Sequence, residues 1–191
     1  MSIFVEKRKI MNKSLIKKSK WFWAWQDDRE EAWLGEMSRQ GLHLQHPGAL
    51  SQYTFEQGEP RDYAYRMDFV TQANKKPDYY QLFRDAGWEH VGEMSGWQYW
   101  RKEIVDGKVP EIFTDNASKI QKYQRLLAFI VVFYPIFVIF LSNYNRWSAM
   151  HGRGFFSTIY EITFFLFFVI VILNLFSMMM ILRRITNLKR G

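Results

Sequence analysis

Two long apolar runs near the C-terminus, Leu126 to Tyr144 and Phe155 to Leu182, constrain this chain more than any other feature. The first has 19 residues and no charge, enough at ~1.5 Å per helical residue to span a hydrocarbon core of about 30 Å. The second has 28 residues and is uncharged from Ile162 to Leu182, with Glu161 placed where a carboxylate can reach the interface. Ten residues separate them, Asn145 to Gly154, in which Trp147 suits an interfacial anchor. This pattern predicts a two-helix transmembrane hairpin, with helices at about 124–144 and 156–182. Lys119, Lys122, Arg125, Arg183, Arg184, Lys189 and Arg190 flank the outer ends, against Arg146 and Arg153 in the loop. The positive-inside rule then predicts a multi-pass cell-membrane protein with both termini cytoplasmic.

Charge divides the chain into three parts. The net charge of +7 is made of +6 over residues 1–20, −7 over residues 21–118 and +8 over residues 119–191. Basic residues therefore flank the membrane segments and fill the N-terminal arm, where they suit anionic headgroups. A nucleic-acid-binding domain would carry its excess of Lys and Arg on the folded part, so no nucleic-acid partner is expected. The absence of cysteine excludes disulfides, thiolate catalysis and cysteine-ligated metals.

Residues 1–19 read as a basic flexible arm, with Met11 an alternative start to Met1. From Trp21 the composition turns aromatic, and WFWAW alternates as a strand. A helix follows, with Asp27 or Asp28 as cap, Trp33, Leu34 and Met37 as buried stripe and Gly41 as C′ residue. Strands are expected at Leu42–His46, Ser51–Gln57 and along DYAYRMDF, then a helix bearing Tyr79, Leu82, Phe83 and Ala86, then strands Trp88–Glu93 and Trp97–Lys102. MSRQGLHL and FRDAGWEH both run helix end, glycine, strand, and Tyr53 and Tyr99 keep the same offset of 46 residues. The pattern predicts an α+β cytosolic domain over residues 20–104, built from two strand-helix-strand-strand units with helices on one face of a sheet. Residues 105–118 read as a linker to the transmembrane part at 119–191, which ends in a short basic tail.

No catalytic, cofactor or metal motif stands out. His43 and His46 fall on a strand and its turn, where an odd separation points side chains to opposite faces. Asp27, Asp28, Glu30 and Glu31 sit where a helix N-terminus favours acids, so they read as capping charges before general acids or bases. Gly87 to Gly92 has the outer glycine spacing of a phosphate loop but lacks the Lys and Ser/Thr that must follow. The density of Trp and Tyr between Trp21 and Trp100 has two readings, a core of large rings or an aromatic pocket for an apolar or cationic ligand. On the second reading Trp23, Tyr53, Tyr65, Arg66, Trp88 and Tyr99 are the candidate ligand-binding residues. Arg66 and Asp68 share the polar face of the DYAYRMDF strand and read first as part of a cross-strand ion-pair network. In the membrane, Pro135 is expected to kink the first helix, and Asn174 to bond across the hairpin or to a second copy, making a homo-oligomer.

The runs EEAWLGEM, QGLHL, YTFEQGEPRDYAYRMDF, YYQLFRDAGWEHV and WQYWRK resemble the bacterial family catalogued as domain of unknown function 2812 over about residues 20–104. The most specific pieces are Glu31, Trp33, Leu34 and Gly41, the Tyr65, Arg66 and Asp68 triplet, and Gly87 with Trp88. The resemblance implies a Gram-positive membrane protein with a cytosolic domain before two or more helices, often encoded beside PadR-like transcriptional regulators. It supplies no catalytic residues. The expected function is a membrane-anchored, non-enzymatic binding or regulatory module in an envelope or membrane-stress response, with the bilayer and a protein or an apolar or cationic ligand as partners. The alternative is a membrane-surface enzyme acting on a lipid or amphipathic substrate.

Overall fold

The computed structural model describes residues 14–49, 51–72, 75–113, 115–132, 134–143, 146 and 155–190. The chain divides into two compact units, Met1–Asp115 and Asn116–Gly191. The expectations for Met1, Met11 and the first thirteen residues lie outside the described residues, as does the loop at 145–154 apart from Arg146.

The first unit is mixed α+β. Its first half runs β1 (Leu15–Ser19), α1 (Asp27–Arg39), β2 (Leu42–Pro47) and β3 (Gln52–Gln57), and its second runs β4 (Tyr63–Phe69), α2 (Tyr79–Asp85), β5 (Glu89–Met94) and β6 (Trp97–Glu103). Each half makes a three-stranded antiparallel sheet of the same order, β1-β3-β2 and β4-β6-β5. Irregularities fall at matching places, between Leu44 and His46 in β2 and between His90 and Gly92 in β5. Both helices end on a left-handed glycine, Gly41 at φ 79° and Gly87 at φ 78°, which a side chain would strain. The offset of 46 does not persist. Leu44 pairs with Phe55 and His90 with Trp100, so the last strands are offset by 45. By register the counterpart of Tyr53 is Gln98, and Tyr99 lies on the opposite face of its strand.

Three expectations change. The first strand is β1, inside the expected flexible arm, whereas Trp21–Trp25 is irregular and closes a turn through Gln26 N to Trp23 O at 2.8 Å. LIKKS shows little apolar alternation because β1 is a sheet edge, where lysines discourage further pairing. Position Gln26, not Asp27 or Asp28, precedes the first helical residue, and it makes no side-chain cap. The helices do not share one face. α1 packs on both β2 and β4, with Trp33 edge-on to Tyr53 and Phe55, while α2 covers the other face of the second sheet through Phe83 stacked on Trp100 at 4.4 Å. Ala64, Trp88 and Trp100 complete that second core.

The two sheets meet along β2 and β5. Leu44 N donates to Tyr65 Oη at 3.3 Å, Arg101 Nη1 donates to Leu44 O at 3.3 Å, and Gly92 gives room for Pro47. Side chains thus satisfy the polar edge of β2 that no strand pairs.

The second unit comprises α3 (Asn116–Val132), α4 (Tyr134–Ser142) and α5 (Phe155–Arg190). Stretches Asn116–Phe140 and Glu161–Arg190 are long and apolar enough to cross a membrane. Pro135 lies within the first of these stretches, two residues after position 133, which is outside the described residues. The expected basic tail is the helical end of α5. Asn116 Nδ2 donates to Leu188 O at 3.1 Å, and Phe140 stacks on Phe167 at 4.2 Å, so α3 and α4 run antiparallel to α5. Among the described residues Asn174 Oδ1 is buried and accepts no hydrogen bond.

Candidate functional site

Residues Glu30, Leu34 and Met37 follow the i, i+4, i+7 spacing of one helical stripe, and all three are buried. An acid on an apolar stripe is costly unless something compensates it. Here the compensation comes from both sheets. Tyr53 Oη on β3 and Tyr99 Oη on β6 each donate to Glu30 Oε1, at 2.8 and 2.7 Å. Burial pushes the Glu30 carboxyl above its usual range, the two phenols oppose that rise, and Asp27 adds to it. Burial and the adjacent carboxylate push both tyrosines up as well. No ion pair to Glu30 exists among the described residues. The site is a buried carboxylate held between the central strands of the two sheets.

Aromatic rings continue outward from the start of the same helix. Trp25 is buried and stacks on half-exposed Trp23 at 5.2 Å, which in turn meets Trp21 edge-on at 5.7 Å. The six sequence-predicted residues therefore separate. Tyr53 and Tyr99 converge on Glu30, and Trp23 belongs to the tryptophan ladder. Tyr65 supplies the bond to Leu44 that joins the sheets, and Trp88 is buried in the core beneath α2.

Arg66 has a different task. Glu31 Oε1 accepts from Met67 N at 2.8 Å, and Arg66 Nη1 donates to Tyr65 O at 2.7 Å. These side chains cover the outward backbone groups of edge strand β4, and they pair with each other at 3.6 Å. Arg66 Nη2 also meets Glu111 at 2.6 Å. Asp68 accepts from Tyr79 Oη at 3.0 Å on the α2 side. A cleft of about 430 Å³ lies over this edge, with Asp28, Glu31, Arg66 and Glu111 in its wall. His43 is held by Ser38 Oγ at 3.0 Å and by Glu59 O at 2.8 Å. Among the described residues no group of three or more His, Cys, Asp or Glu could hold a metal ion.

The family described as "Protein of unknown function (DUF2812)" matches residues 26–134, more than half of the chain. The chain belongs to the DUF2812 family. The matched region of this DUF2812 protein includes α1, with Glu30 and Glu31, and extends past the expected domain boundary through α3. No curated protein and no solved structure matches the chain.

Reading the acidic cluster as capping charges missed the role of Glu30. The signal was present: Glu30 stands four residues before Leu34 and seven before Met37, on the stripe that must be buried.

Proposed function

We propose that this DUF2812 protein is a membrane-anchored binding module whose α+β unit takes a lipophilic organic cation at Glu30. Its two apolar helical stretches form a transmembrane hairpin with both termini cytoplasmic, and binding serves regulation or protection of the cell envelope. The observation that carries this reading is a buried carboxylate that receives two phenol hydroxyls on one oxygen and forms no ion pair among the described residues. Such a group is more stable beside a positive charge, and aromatic faces attract the same ligands. The Trp25 and Trp23 stack lies just ahead of it in the chain.

The cleft beside Glu31 and Arg66 supports an enzyme acting on an amphipathic substrate less well. Both residues already cover backbone groups of β4 or hold each other.

Tetraphenylphosphonium and the neutral triphenylmethanol, titrated into the full chain in phosphatidylcholine nanodiscs, test the proposal. Seven of the eight tryptophans lie between Trp21 and Trp100 and report binding. Saturable quenching by the cation, at least about tenfold weaker for the neutral compound and for Glu30→Gln, is expected. Equal quenching by both compounds, or an unchanged affinity in Glu30→Gln, overturns it.

A further inference from the structure

Strand β1 is the edge of its sheet, and the chain from Leu15 to Gln26 contains three lysines and no acid. Leu15 is 66% exposed, Trp21 61% and Trp23 37%, so large apolar groups stand in solvent beside Lys17, Lys18 and Lys20. Lysine alone is an ordinary guard for a sheet edge. Exposed indoles are not: they place a ring with one polar handle where it would gain from an apolar and aqueous boundary. Indoles at headgroup depth with ammonium groups at phosphate depth form the chemistry of a membrane interface.

We propose that this edge, from Leu15 to Trp23, docks on the surface of an anionic phospholipid bilayer. Charge complementarity selects that partner. The strip carries only positive charge, whereas residues 21–118 carry a net −7 that repels an extended polyanion wrapping the domain. A flat bilayer meets the edge alone. The same chain also carries two stretches long and apolar enough to cross a membrane. Docking is independent of Glu30, which faces the interior between the sheets.

The cysteine-free chain allows a direct test, because Leu15→Cys gives a single attachment point for an environment-sensitive fluorophore. The full chain is placed in nanodiscs of phosphatidylcholine alone or of phosphatidylcholine with phosphatidylglycerol at about 3:1, with residues 1–13 unchanged. With the anionic lipid the emission shifts to the blue and spin-labelled lipids quench it, and added salt reverses both. Lys17→Glu with Lys18→Glu and Lys20→Glu lowers the docking equilibrium about 100-fold. Trp21→Ser, at a position too exposed to disturb folding, weakens the lipid quenching. Identical emission in the two lipids, or a shift that survives the triple charge reversal, overturns the proposal. So does a shift that follows protein concentration, which would mean that β1 pairs with a second copy, or one produced by a single-stranded oligonucleotide and not by the lipid.

Discussion

The two halves of the α+β unit share strand order, bulge position and left-handed glycines, yet only the first carries a buried acid on its helix. α1 has 13 residues and α2 has seven. Aligned on Gly41 and Gly87, Glu30 and Glu31 correspond to Lys76 and Pro77, which lie before α2 begins. The site therefore occupies helical turns that the second half lacks. Those turns also let α1 reach β4 as well as β2, while α2 stays over its own sheet. The halves share one frame, and the extra turns of α1 place Glu30 between the two sheets.

The largest expected effect asks whether the halves fold as one. Trp100 is fully buried beneath α2, and Leu34 is fully buried on the inner side of α1. Trp100→Ala should cost about 3–5 kcal/mol and Leu34→Ala about 2–5 kcal/mol. Followed by denaturant unfolding, each should shift a single transition of the α+β unit, and two transitions would mean that the halves are independent.

Next comes the link through Glu30. Tyr53→Phe or Tyr99→Phe should each cost about 1–3 kcal/mol. Because both phenols share one oxygen, the double variant should differ from the sum of the singles in the same unfolding measurement. Gln98→Leu, at the register counterpart of Tyr53, should show no coupling to Glu30→Gln. Strict additivity of the two tyrosines would break the proposed junction.

The matching glycines sharpen the comparison further. A Cβ on Gly41 would lie 2.5 Å from the Gly58 carbonyl oxygen, whereas on Gly87 it meets only the flexible end of Lys102 at 3.4 Å. Gly87→Ala should cost about 1 kcal/mol from its backbone conformation, and Gly41→Ala more, by thermal or denaturant unfolding. Equal costs would mean that Gly58 yields freely.

The smallest effect is on pH dependence. The folded pKa of Glu30 lies above its ordinary 4.5, so the folded state favours the protonated form. Its contribution to stability is complete below that ordinary value and is lost as pH rises through the raised one. Across that window wild type should lose stability relative to Glu30→Gln, and parallel stability curves would show that Glu30 titrates normally.

Much of this architecture was legible in the chain. Helix-end glycines and alternating strands identified both halves, and WLGEM marked the buried side of α1. β1 was hidden because an edge strand guarded by Lys17 and Lys18 resembles a basic tail. Trp21, Trp23 and Trp25 resembled a strand because their alternation is the same whether rings stack across a turn or along a pleat. The false equivalence of Tyr53 and Tyr99 arose from a one-residue difference in offset, which changes the face of every side chain on β6. Arg66 and Glu31 were not recognisable as a cover for β4, since the bonds run to backbone atoms. Glu30 could have been found by asking which residue shares a stripe with Leu34 and Met37.

The most direct test counts protons. If a cation seats against Glu30, binding must drive the raised carboxyl to ionise and release a proton. Calorimetric titration of the full chain in phosphatidylcholine nanodiscs with tetraphenylphosphonium, in buffers of different ionisation heat from about pH 5 to 8, measures that number. The account predicts a fractional release that falls as pH rises and is absent in Glu30→Gln. Binding without proton release at any of these pH values, or with the same release in Glu30→Gln, would contradict it.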